Sequence, residues 1–126
     1  MKFNMNTAII MLGSNTDAIL NMELAIHKLL DCYQITGKSL VIITEPFGDH
    51  CMSNFHNLAI KLMSTESIED TKAAFKKIEQ LIGRKPESKS SGIIPIDIDL
   101  IFWNDILVHN DYIRYDYVKK CVNDIK

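Results

Sequence analysis

Apolar and polar positions alternate along this chain in two rhythms, and the change from one to the other marks its elements. Thr7 to Leu12 is a short continuous apolar run stopped by Gly13, which predicts a buried strand. Gly13-Ser14-Asn15-Thr16-Asp17 then offers several helix-capping residues. Apolar residues follow at Ile19, Leu20, Met22, Leu24, Ala25, Ile26, Leu29 and Leu30, spaced as a helix from about Asp17 to Leu30. Ser39 to Thr44 reads as a second strand, entered by a turn at Gly37 and ended near Pro46, which has no ladder donor. Phe55 to Met63 has a strand's alternation, with Phe55, Asn57, Ala59, Lys61 and Met63 on one side.

Ser67 opens a second helix with Glu69 and Asp70 in the first turn, where the helix dipole favours acids. Ile68, Phe75, Ile78 and Ile82 form its apolar stripe, Lys72, Lys76 and Lys77 are read as solvated, and Gly83 and Pro86 end it. Lys85 to Ser91 is polar and serine-rich, which predicts a mobile loop. A further strand runs through Gly92 to Phe102, and Asn104-Asp105 marks a turn into Ile106-Leu107-Val108. The tail from Asp111 carries Tyr112, Tyr115 and Tyr117 and a weakly helical end. Strand, helix, strand, strand, helix, strand is the α+β, ferredoxin-like βαββαβ order, an antiparallel sheet with two helices packed on one face.

Composition narrows the function classes. A chain of 126 residues, 47% hydrophobic and 24% charged, fits a single domain, 1–126, with one packed core. A formal charge of −2 leaves no basic footprint for nucleic acid, so an anionic ligand would have to be held by local cations or a metal. Cys32, Cys51 and Cys121 are odd in number and lack C-x-x-C spacing, which predicts free thiols in a reducing compartment. The apolar run near the N-terminus is too short for a secretory leader or a membrane span, so a cytoplasmic protein with no membrane partner is expected.

The chemical anomaly is the pair Asp97 and Asp99 inside an apolar run. Two apart on a strand, they share a face roughly 6.5 Å apart along the chain, while Ile96, Ile98 and Leu100 face the core. Adjacent carboxylates repel and lose hydration, so they either form a solvated face or hold a hard cation such as Mg²⁺. Asn57 beside Phe55 suits a flat heterocycle with polar edges, the ring stacking and the amide pairing, although an asparagine there can equally bond nearby backbone. Arg84, just past the second helix and near Glu79, reaches either a phosphate or an ordinary ion-pair partner.

Taken together, G-S-N after the first strand, T-E-P-F-G before a loop, F-x-N opening the third strand, I-E-x-x-x-G-R closing the second helix and D-x-D before Leu100-Ile101-Phe102 resemble one family. The resemblance is to 6-hydroxymethyl-7,8-dihydropterin pyrophosphokinase, the folate-pathway enzyme that moves a diphosphate from ATP to a pterin alcohol, and it covers Thr7 to about Asp116. It implies that Asp97 and Asp99 hold two Mg²⁺ ions between ATP and the pterin hydroxymethyl group. It implies a pterin pocket of Thr44, Phe47, Phe55 and Asn57, and a nucleotide site of Glu79, Arg84 and Tyr115, with Arg84 on a phosphate and counted with the aspartates as catalytic. ATP and a pterin are the small-molecule partners it implies. The chain departs from the family at Ile94, where an arginine is usual, at Ser91 for a tryptophan, and at Arg114-Tyr115 for a His-Tyr pair; the family's C-terminal segment is expected to be absent. The alternatives are a relative that binds pterin or nucleotide without turnover, or a ferredoxin-like interaction module.

Overall fold

The computed structural model describes residues 5–46 and 53–126. Its elements are β1 (Asn6–Ser14), α1 (Ala18–Cys32), β2 (Gln34–Lys38), β3 (Ile42–Thr44), β4 (Phe55–Ser64), α2 (Ile68–Ile82), α3 (Ser88–Ser91), β5 (Asp97–Trp103), β6 (Ile106–Leu107), α4 (Asp111–Arg114) and α5 (Asp116–Ile125). The sheet runs β2-β4-β1-β5-β6, with β3 also on β4, and every pairing is antiparallel. The long central strands β1 and β4 have both faces covered, which accounts for the continuous apolar run of β1 and for the buried stretch Leu58-Ala59-Ile60 of β4.

One face carries Ile10, Leu12, Ile60, Leu62, Ile98 and Leu100 against Met22, Ala25 and Leu29 of α1 and Phe75 and Ile78 of α2. Both helices expected on one face are therefore there. Ser67 caps α2, its hydroxyl accepting the Asp70 N–H at 3.1 Å, and Gly83 closes it at φ 120°, a conformation that favours glycine. The tail adds a third layer on the opposite face. Val118, Cys121 and Val122 of α5 are buried against Ile9, Met11, Ala59, Ile101 and Phe102, and each of the valine, isoleucine, methionine and phenylalanine side chains contributes roughly 1.5–3 kcal/mol on burial. A bulge in β5 serves this face: Ile9 pairs with Phe102 and Ile10 with Leu100, so the extra residue Ile101 and Phe102 both turn toward α5.

Three local expectations need correction. Of the strand read as Ser39–Thr44 only Ile42–Thr44 (β3) is one, a separate strand β2 precedes it at Gln34–Lys38, and Gly37 lies within β2 at a register shift rather than in a turn. The break is bridged by Ser39, whose N–H donates to Ala59 O at 2.9 Å while its Oγ accepts the Ala59 N–H at 2.8 Å. A side-chain oxygen there stands in for a backbone carbonyl, a substitution that no periodicity reveals. The loop at Lys85–Ser91 contains the helical turn α3, where Ser88 Oγ accepts the Lys85 N–H at 3.0 Å. The tail is two helices rather than one weak end. The turn at Asn104-Asp105 is as expected, both residues having positive φ (49° and 68°), as in the tight turns that match strand twist. Cys32 is an exposed free thiol and Cys121 a buried one, while Cys51 lies outside the described residues. Among the described residues no helix is long and apolar enough to cross a membrane.

Candidate active site

β5 begins at Asp97, opposite Gly13 of β1, and Asp99 lies opposite Met11. Because Ile96, Ile98 and Leu100 are buried under the helices, both carboxylates fall on the α5 face, with side chains 37% and 32% exposed. They are not equivalent. Asp97 accepts a hydrogen bond from Arg84 Nη1, which also donates to Ile96 O at 3.3 Å and Glu79 Oε2 at 3.5 Å. Burial, and next the neighbouring Asp97, push the Asp99 carboxyl up to about 8. A site that resists a second negative charge in this way suits a divalent cation, and two carboxylates are the hard oxygen donors that Mg²⁺ takes.

Glu79 is placed differently from expectation. It is 3% exposed, and its Oε2 accepts the Ile98 N–H at 2.7 Å between the two aspartates. It thus fixes β5 from beneath and does not line either cavity beside the aspartates. Burial raises its carboxyl above the usual range, partly offset by the Ile98 N–H.

Two cavities meet at Asp99. One, of about 400 Å³, is bounded by Gly13, Phe55, Asn57, Asp97, Asp99 and Tyr115, with Asp111 and Tyr117 from the C-terminal layer. Asn57 is 5% exposed, and its Nδ2 donates to Ile42 O and Thr44 Oγ1, both at 3.0 Å. The bonding of Asn57 to nearby backbone is thus present, its amide nitrogen being tied to the β3 edge, and the residue also lines the cavity. Gly13 faces Asn57 Oδ1, since a Cβ there would come within 3.4 Å of it. The second cavity, of about 270 Å³, lies on the α2 side and is bounded by Lys72, Phe75, Lys76, Ile98, Asp99 and His109.

The segment entering β5 is held by the G-S-N motif. Asn15, 8% exposed, accepts the Ile94 N–H on Oδ1 at 2.7 Å, donates Nδ2 to Gly92 O at 2.7 Å, and donates its own N–H to Ile94 O at 3.1 Å. The motif acts as a clamp on the approach to the aspartates. Asn15→Ala strands a buried N–H and carbonyl, and chemical denaturation should show a loss of about 2–4 kcal/mol. A loss under about 0.5 kcal/mol would mean that water replaces the clamp.

Comparison with known proteins decides the family. The model of the 7,8-dihydro-6-hydroxymethylpterin-pyrophosphokinase (HPPK) family matches residues 9–126. This chain belongs to the HPPK family. It is 30% identical over 111 residues to the 2-amino-4-hydroxy-6-hydroxymethyldihydropteridine pyrophosphokinase of Aquifex aeolicus (strain VF5), covering 87% of this chain and 69% of that protein. Among solved structures it resembles wild-type HPPK-DHPS of Plasmodium falciparum with pteroate (TM-score 0.70, 14% identity, 99% of this chain and 39% of that one). It also resembles the S436F/A437G/A613S form of that protein with pterin and p-hydrobenzoate (TM-score 0.63, 17% identity, 98% of this chain and 34% of that one). This chain thus spans well under half of those solved chains, and likeness at such identity supports the shared ferredoxin-like fold alone.

Within the HPPK frame, the structure brings Asp97, Asp99, Phe55, Asn57 and Tyr115 to one cavity and ties Thr44 to it through Asn57. Tyr115, expected on the nucleotide, shares the cavity of Phe55 and Asn57. Phe47 lies outside the described residues. Lys72 and Lys76, read as merely solvated, border the second cavity, and their spacing of one helical turn on α2 was the available signal. His109 and Asp111 were not singled out, and only their place after the last hairpin hinted at them.

Proposed function

We propose that this chain transfers a diphosphate from ATP to 6-hydroxymethyl-7,8-dihydropterin, giving AMP and the pterin diphosphate, as a step of folate biosynthesis. The observation that carries the reading is that Asp97 and Asp99 both line one cavity while Asp99 also borders a second, unlike one. One has aromatic walls and an amide acceptor, and the other is bordered by two lysines.

In this reading the pterin lies in the first cavity against Phe55 and Tyr115, with Asn57 Oδ1 accepting from its polar edge and Thr44 fixing the amide. The triphosphate extends toward Lys72 and Lys76 in the second. Asp97 and Asp99 are the residues that would hold Mg²⁺; when bound, the metal neutralises phosphate charge and orients the reacting oxygens. The pterin hydroxyl oxygen forms a bond to the β-phosphorus and gives up its proton to water, while the bond from that phosphorus to the α-phosphate oxygen breaks and AMP leaves with that oxygen. The chain supplies position and field rather than a covalent intermediate. Arg84 orients Asp97, and Glu79 holds the strand between the two carboxylates.

The family's usual arginine is replaced by Ile94, which is buried beneath the Asn15 clamp, so no cation enters from that position. Loss of one phosphate-binding arginine costs phosphoryl-transfer enzymes about 10³–10⁵ in rate, and this favours a second reading, a relative that binds both ligands without turnover. AMP release, followed with and without the pterin and Mg²⁺, separates the two. Turnover that needs both and disappears in Asp97→Ala is expected; turnover no higher than in that variant overturns the catalytic reading, and calorimetry then shows whether the ligands still bind.

A further inference from the structure

We propose that Asp99, His109 and Asp111 form a second metal site that takes a divalent transition ion, such as Mn²⁺ or Zn²⁺, without any nucleotide. Each offers a ligand atom, and these atoms all lie within 4.8 Å of one another, the one such group of histidine, cysteine and acidic residues among the described residues. His109 Nε2 is 3.9 Å from Asp99 Oδ1, and its Nδ1 is 3.7 Å from Asp111 Oδ1, so the imidazole stands between the two carboxylates.

The three residues come from different elements: Asp99 from the middle of β5, His109 from the segment after β6, and Asp111 from the first turn of α4. The site lies where the cavities meet. Asp99 borders both, His109 belongs to the lysine-bordered one and Asp111 to the aromatic one. None of the three is fully buried or fully exposed, so an ion can enter and keep open positions for water or a phosphate oxygen.

The donor set decides the class of metal. Carboxylates alone suit Mg²⁺, whereas an imidazole nitrogen shifts preference toward first-row transition ions. Octahedral cations with metal–ligand distances of ~2.1 Å place neighbouring donors ~3 Å apart, so binding draws the three side chains together by about an ångström. In the metal-free chain the Asp111 N–H donates to His109 Nδ1 at 3.1 Å, which leaves the ring hydrogen on Nε2. A cation that takes Nε2 requires the ring hydrogen to move to Nδ1, so the Asp111 N–H gives up this bond as the Asp111 carboxylate turns toward the ion. This site shares only Asp99 with the Mg²⁺ pair of the proposed function, and its existence does not depend on diphosphate transfer.

The test uses the full chain, freed of metal and titrated with Mn²⁺ in the absence of nucleotide. Continuous-wave electron paramagnetic resonance counts the bound ion, and pulsed measurements read its nitrogen coupling. Stoichiometric binding with one imidazole nitrogen is expected, weakened at least tenfold in H109A and D111N, with the coupling absent in H109A. Calorimetry with Zn²⁺ should show the same order, and thermal melts of the metal-free variants confirm that they fold. No binding without nucleotide, equal affinity in H109A, or Mn²⁺ bound without nitrogen coupling overturns the site. AMP formation with Mg²⁺ is a separate readout, so either idea can fail while the other stands.

Discussion

Replacing Asp99 by asparagine is expected to stabilise the metal-free chain while removing the proposed diphosphate transfer. Burial first, and then Asp97, push the Asp99 carboxyl up to about 8 from an ordinary 3.8. Between those values the folded chain holds a proton that the unfolded chain has released, so stability falls as pH rises from about 4 to 8. An amide carries no such penalty. Since the side chain is 32% exposed, solvent screens much of the effect, and the expected gain for Asp99→Asn in EDTA is about 1–2 kcal/mol at pH 8, vanishing near pH 4. Urea unfolding at the two pH values measures it. Adding Mg²⁺ should then stabilise the parent and leave the variant unmoved, and AMP formation should fall by at least about 10². A variant no more stable than its parent at pH 8 would mean that surrounding cations already neutralise the pair.

The opposed effects follow from a site organised for a ligand rather than for the resting chain. Asp97 has its counter-charge in Arg84, and Asp99 has a histidine at 3.9 Å. The strand that carries them is held by Glu79 from below and by Asn15 at its entry. Carboxylates set this firmly cannot swing apart to relieve their repulsion, which keeps them placed for a cation.

What could be read from the chain was whatever depends on local period and local caps. α2 was legible from Ser67 to Gly83 because cap, stripe and stop are all contiguous, and the shared face of Asp97 and Asp99 follows from a strand's period of two. The HPPK motifs were legible as a set because their order and spacing survive divergence. The role of Glu79 was not, since an acid at the end of an amphipathic helix looks solvated until β5 is laid over it. α5 did carry a signal: Val118, Cys121, Val122 and Ile125 fall at helical spacing, yet no side-chain cap marks its start and the tyrosines Tyr112, Tyr115 and Tyr117 cluster around that start. The cluster at His109 joins segments whose proximity only the tertiary fold creates.

Arg84→Ala should destabilise the chain by about 3 kcal/mol and should also lower the proposed diphosphate transfer. The guanidinium is 23% exposed and faces Asp97, Glu79 Oε2 and Ile96 O together. Its removal leaves the Glu79 carboxylate buried without a close guanidinium, and breaking a buried pair by deleting one partner typically costs about 3–5 kcal/mol; the exposed Asp97 side of the network places this case at the lower end. Arg84→Lys should recover only part, because an ammonium cannot reproduce the planar fork. Glu79→Gln keeps an acceptor for the Ile98 N–H while removing the charge, so a cycle of Arg84→Ala with Glu79→Gln isolates their coupling, expected at about 1–2 kcal/mol. The comparison separates two roles for Arg84. A residue that only grips phosphate would lose activity with stability unchanged, whereas one that orients Asp97 loses both, and unfolding curves measured without nucleotide tell them apart before any turnover is assayed.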